Sequence, residues 1–124
     1  MAICQLLFEI KVNVGRIKIV MSEKKEQIKA TIDEVQDIID LFYQQNDKEA
    51  FEKLDTVLEN MTISIDNLEL YKLENSDFDF DETKLCEILK ESMEALQSDD
   101  KVLMADILQY DFIEYINELL EQMK

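Results

Sequence analysis

From Met21 to Lys124 the chain has no glycine, proline, histidine or tryptophan. Each absence closes a class of structure or chemistry. Without proline or glycine the segment lacks strong helix breakers. It therefore reads as almost wholly helical, with helix ends that use Asn or fray instead of closing on a glycine. Without histidine, no hydroxyl or thiol has an imidazole base, and the Glu-x-x-His pairs of di-iron bundles cannot be assembled. A glycine-free body also excludes a P-loop and a dinucleotide-binding turn. Two cysteines, Cys4 and Cys86, do not make a disulfide framework. Cys86 falls among Leu85, Leu89 and Met93 at helical spacing and reads as a small core residue, which leaves a reducing cytoplasm as the default setting.

What is abundant is acid. Against 13 Lys and Arg stand 29 Asp and Glu, for a formal charge of −16, while 47% apolar residues mark a globular chain of single-domain length. The charge is uneven: residues 1–20 hold Lys11, Arg16 and Lys18 against Glu9, a net of +2, so the rest of the chain carries −18. Such a balance argues against nucleic acid as a partner, because phosphate binding needs Lys and Arg to displace counterions. It argues equally against a membrane, since anionic lipid repels it and no run reaches the ~18 apolar residues of a spanning helix. The plain reading of the acid is a solvated surface; a sharper one is an acidic mimic of nucleic acid that inhibits a basic protein.

No catalytic or metal constellation emerges. Asp77, Asp79 and Asp81 resemble the start of a calcium loop, but Glu82 stands where that loop turns on Gly, and Ile88 where it needs a bidentate Glu. With so many carboxylates, close pairs carry no information about a hydrolytic dyad. The expectation is a non-enzyme with no cofactor and no metal.

Residues 1–20 follow a different grammar. Phe8, Ile10, Val12 and Val14 alternate with other residues, and Gly15-Arg16 turns the chain into Ile17 and Ile19, which reads as a marginal β-hairpin or a disordered extension. A third reading places the start of translation at Met21. Ser22 is then an N-cap followed by Glu23 and Glu26, and Gly15-Arg16 is what a purine-rich ribosome-binding sequence yields when translated in frame.

Residues 21–124 read as one all-α domain, an up-down four-helix bundle. Ile28, Ile32, Val35, Ile39 and Phe42 form one stripe on a helix from about Ser22 to Gln45. Asn46 and Glu49 fit a capping box for a second helix running to Glu74, with Phe51, Leu54, Leu58, Met61, Ile65 and Leu68 inward. After the loop NSDFDFD, Asp81 caps a third helix, with Phe80 and Leu85 at the positions of a hydrophobic staple and Leu89, Met93 and Leu96 following. Ser98 and Asp99 cap the fourth, whose inward arc is Val102, Ala105, Phe112, Ile113, Ile116, Leu119, Leu120 and Met123. Short connections make successive helices antiparallel, and the wide apolar spread of the fourth suits it to a central place.

Two apolar stripes lie off these inward faces. Leu103, Ile107 and Tyr110 align at i, i+4, i+7 on the fourth helix, bordered by Asp106, Asp111, Glu114 and Asn117. On the second, Ile63 and Leu70 stand one heptad apart with Leu73 nearby. Either both are buried because an inner helix meets neighbours on two sides, or they form an exposed strip with an acidic rim. Such a strip suits a protein partner's amphipathic helix or self-association, and Phe78 and Phe80 would extend it. Asp106, at the border of the core arc, needs a donor if buried.

The segment DDKVLMADILQYDFIEYINELL resembles the C-terminal helix of a family of small, uncharacterised acidic helical-bundle proteins of Firmicutes, some encoded near flagellar genes. The likeness centres on Ala105-Asp106-Ile107-Leu108 and Tyr110-Asp111; family members often carry Glu in place of Asp111 and a Pro soon after, and this chain has neither. The resemblance implies a four-helix bundle without a known catalytic site. Through gene neighbourhood it also implies an analogy to the flagellin export chaperone, an acidic bundle that holds helices of an unfolded subunit, so an adaptor or chaperone-like role is expected.

Overall fold

A computed structural model describes residues 21–123, and four helices account for the architecture. They are α1 (Met21–Tyr43), α2 (Asp47–Glu74), α3 (Glu82–Gln97) and α4, which runs over 101–122 in three stretches. Lys101–Ile107 is α-helical, Leu108–Ile113 is π-helical, and Glu114–Gln122 is α-helical again. Among the described residues there is no strand, and no helix is long and apolar enough to cross a membrane. The readings made for residues 1–20 fall outside the described residues. The described part of α1 opens at Met21, so Ser22 stands inside the helix and not at its cap.

The topology is up-down-up-down. α1 pairs most closely with α2 and α3 with α4, while α1 and α4 join the two hairpins. Hydrogen bonds spaced along the elements confirm that α1 and α4 are antiparallel: Lys25 Nζ donates to the Met123 carbonyl (3.0 Å), and Gln36 Nε2 donates to Gln109 Oε1 (2.8 Å). One apolar core runs through all four helices, with Ile28, Val35 and Ile39 of α1, Leu68 of α2, Leu85 of α3, and Met104, Phe112 and Leu119 of α4 at its centre.

The fourth helix departs from the sequence pattern at one residue. An inward arc extrapolated backward from Phe112–Met123 reaches Val102, yet Val102 is exposed and the buried residues are Met104, Ala105 and Leu108. Ala105 is buried as expected, and Met104, Leu108, Phe112 and Ile116 follow at steps of four, so Val102 is a local departure in the first turn of the helix. Phe51 is corrected as well. The buried face of α2 passes through Ala50, Leu54, Val57, Met61, Ile65 and Leu68, and Phe51 lies beside it, half out of the core and edge-on to Phe42 at 5.3 Å.

Two helix ends close in the same way, and they do it without glycine. At the end of α1, Gln45 N–H donates to the Phe42 carbonyl and Asn46 N–H to that of Leu41; at the end of α3, Asp99 N–H donates to Leu96 and Asp100 N–H to Ala95. These are paired Schellman bonds, which place the intervening residue in the left-handed region. Gln45 sits at φ 61° and Asp99 at φ 59°. In each turn the next residue opens the following helix. Asp100 accepts from Leu103 N–H at 3.0 Å, which moves the cap one residue past the expected Ser98-Asp99. The expected Asn46–Glu49 capping box does not form: the Asn46 side chain makes no cap bond and donates to Glu49 at 2.9 Å, while the Asn46 N–H is taken by the Leu41 carbonyl. Asp81 caps α3 as expected, accepting from Lys84 N–H. Lys101 ties the two turns together, its ammonium 3.2 Å from both Asp47 and Asp99, and those hydrogen bonds and charges raise its pKa.

Polar groups are buried between α1 and α2. The Gln27 amide donates to Thr31 Oγ1 (3.0 Å) and the Asn60 carbonyl (3.1 Å), and its oxygen lies within accepting distance of Ser64 Oγ (3.0 Å) and Asn67 Nδ2 (2.9 Å). That uses the full hydrogen-bonding capacity of a primary amide. The Ser64 hydroxyl, with one proton, can serve either Gln27 or the Asn60 carbonyl at 2.9 Å.

Two outcomes test these features. Gln45→Gly is expected to raise stability by about 1 kcal/mol in urea denaturation, since glycine alone occupies the left-handed region freely, whereas Gln44→Gly should not. Gln27→Ala is expected to lower it by about 1–3 kcal/mol by stranding buried Asn67, with helical circular dichroism retained at low denaturant.

Candidate partner-binding surface

The position of the fourth helix decides which of its residues reach the surface. α4 packs between α3 and α1, which buries Met104, Ala105, Leu108 and Phe112 and leaves the opposite stripe outward. On that stripe Leu103 is 46% exposed and Tyr110 61%, with Ile107 between them half-buried against the core. Val102 adds a further apolar group at 55%. Of the two alternatives for this stripe, burial and exposure, Leu103 and Tyr110 adopt the second.

The neighbouring element contributes a residue that sequence spacing on α4 alone does not reveal. Tyr43, near the end of α1, donates a short hydrogen bond through its hydroxyl to Asp106 Oδ1, so the half-buried Asp106 has the donor it requires. Asp33, Gln36, Asp40 and Tyr43 recur at steps of three, four and three, one stripe of α1 turned toward α4. Gln36 donates both to Asp40 (3.1 Å) and to Gln109 (2.8 Å), linking the two helices along the strip. Burial pushes the Tyr43 phenol up to about 12, helped by its hydrogen bond to Asp106 and by the Asp106 charge. On the other side of Tyr110 a groove of about 250 Å³ runs toward α3, lined by Lys84, Ile88, Asp111, Glu114 and Tyr115. Lys84 is held there with its ammonium 4.4 Å over the Tyr115 ring.

The remaining candidates lie elsewhere. Phe78 and Phe80 are only 4% and 3% exposed, and so do not extend an exposed site. They stack on one another, and Tyr71 meets Phe78 edge-on at 4.7 Å, plugging the end of the core below the loop. The loop is pinned from outside by Tyr115 and Gln122, whose side chains accept from the Asp81 and Asp79 N–H groups, and by Lys72, which donates to the Phe80 carbonyl at 2.7 Å. Aromatic residues in an acidic loop look solvent-facing only until the bundle end they close is seen. Ile63 and Leu70 are half-buried on α2, which is not a close neighbour of α4, so the two stripes do not merge. Leu73, largely exposed, lines a separate groove of about 740 Å³ beside the loop.

Cys86 is buried in the core, as its helical spacing among apolar residues implies. Among the described residues no three His, Cys, Asp or Glu side chains converge as metal ligands would.

The Tyr43–Asp106 contact gives a pH-dependent signature. Because the folded state holds the phenol protonated, any stability from this contact is intact below pH 10 and is lost as pH rises toward about 12. In a phenolate absorbance titration, Asp106→Asn is expected to lower the Tyr43 midpoint toward the ordinary value, and Tyr43→Phe to remove that transition.

No curated protein matches the chain, and no solved structure does. Residues 19–122 match the family described as "Domain of unknown function (DUF8042)". The bundle and its outward strip lie almost wholly within that span, and the chain belongs to this family.

Proposed function

We propose that this protein is a non-catalytic interaction module of the cytoplasm, adaptor-like or chaperone-like, that seats a partner's amphipathic helix on Leu103, Ile107 and Tyr110. The observation that carries the reading is the exposure of Leu103 and Tyr110 on a helix whose other faces are packed. Helices in grooves are read through anchors at i, i+3 or i+4, and i+7, and this spacing on α4 matches such a partner's own. The strip is anchored rather than loose: Asp106 and Gln109, which share its helix, are held to α1 by Tyr43 and Gln36. Little ordering would then be needed on this side when a helix docks, and pre-organisation of that kind favours affinity. Small exposed apolar groups are ordinary on any surface, but a contiguous aligned set on a rigid helix is a contact feature.

The test is capture from native lysate with the full chain and with a Leu103→Asp, Tyr110→Asp double variant. Both positions are exposed, so the variant should keep its helical circular dichroism and unfold within about 1 kcal/mol of the parent. It is expected to lose a partner that the parent retains. Equal capture by the two proteins would contradict the reading.

A further inference from the structure

The strip lies in an unusually one-sided electrostatic setting. From Ala30 to Tyr43, α1 contains Asp33, Glu34, Asp37 and Asp40 and no cation. Beyond Lys101, α4 up to Gln122 likewise contains carboxylates and no cation, and Asp106, Asp111 and Glu114 are those nearest the strip. The two cations at its margins are already engaged: Lys101 lies between Asp47 and Asp99, and Lys84 sits over the Tyr115 ring. Asp33, Asp37, Asp40, Asp111 and Glu114 are all exposed. An apolar ridge is thus bounded by acid on both its α1 and α3 sides.

We infer that the helix seated on this ridge is cationic, an amphipathic helix whose apolar face meets Leu103, Ile107 and Tyr110 while Lys or Arg on its flanks meets the acidic borders. This rests on the interaction reading above and adds the chemistry of the partner. A complementary charge speeds encounter and suppresses wrong partners, and juxtaposed like charges are costly. The same border disfavours a second copy of this chain, which would bring an equally acidic rim against it.

The proposal separates into measurable parts with three fluorescent amphipathic peptides, each about five turns long with leucines at helical spacing, whose flanks are all Lys, all Gln or all Glu. Binding is followed by anisotropy against the full chain. The Lys peptide is expected to bind at least about tenfold tighter than the Gln peptide at low salt, with the advantage shrinking when salt is raised about tenfold, as screening requires. The Glu peptide should not bind. Asp40→Asn with Asp111→Asn should weaken the Lys peptide and leave the Gln peptide unchanged.

Non-specific attraction to an acidic protein is distinguished by Leu103→Asp with Tyr110→Asp, which takes the formal charge from −16 to −18. Charge alone predicts tighter binding of the Lys peptide by that variant; the proposal predicts its loss. Equal binding of the Lys and Gln peptides, both abolished by the variant, would overturn the cationic assignment and leave the interaction reading standing. Lys-peptide binding undiminished by the variant, or no binding of any peptide, would overturn both. Sedimentation as a dimer that the variant dissociates would make a second copy the occupant and likewise overturn the inference.

Discussion

The structure depends on the burial of α4. Its apolar residues surround more than half of the helix, so one neighbour cannot cover them, and α1 and α3 flank it together. Full burial of a large aliphatic or aromatic side chain contributes about 1.5–3 kcal/mol, and Met104, Leu108, Phe112, Ile116 and Leu119 are all withdrawn from water. The π-helical segment lies in mid-course. The first part of α4 presents Met104 and Leu108 to the core and the last part Ile116 and Leu119, and the residues turned away include Leu103 and Tyr110.

With α4 as centre, the polar contacts have a clear division of labour. Gln27 fastens α1 to α2, Tyr43 and Gln36 fasten α1 to α4, and Lys101 joins the two turns at one end of the bundle. The carboxylates are mostly left outside. The net charge is therefore a property of the surface.

Much of this was legible in the spacing of residues. The heptad-like rows of α1 and α3 and the aligned Leu103, Ile107 and Tyr110 follow from helical periodicity, and the Asp81 cap from the preference of Asp for that position. What escaped has identifiable causes. The π segment leaves no compositional mark, and Val102, at the edge of the inward arc in the first turn of α4, is exposed where its neighbours Met104 and Ala105 are buried. The Gln27 cluster uses polar residues at inward positions, which pattern reading assigns to the solvent side. Gln45 and Asp99 adopt left-handed geometry that elsewhere falls to glycine, because the paired bonds of each turn compensate for the strain. Phe80 is buried as its staple position beside Leu85 implies and does not extend an exposed site, whereas nothing in the acidic loop signals that Phe78 closes the end of the core. Tyr43 was invisible as a site residue since it lies 63 positions from Asp106.

The arrangement in two helical hairpins has a temporal consequence. Neighbouring helices meet across short turns, and chains rich in such local contacts fold in roughly microseconds to milliseconds. The absence of proline also spares the unfolded chain the isomerisation that delays many proteins by about 10–100 s. Yet the Tyr43–Asp106 and Gln36–Gln109 contacts each join the first hairpin to the second. Neither hairpin holds both members of these bonds, so they form only when the first helix and the last have met, a late and non-local step after two fast local ones.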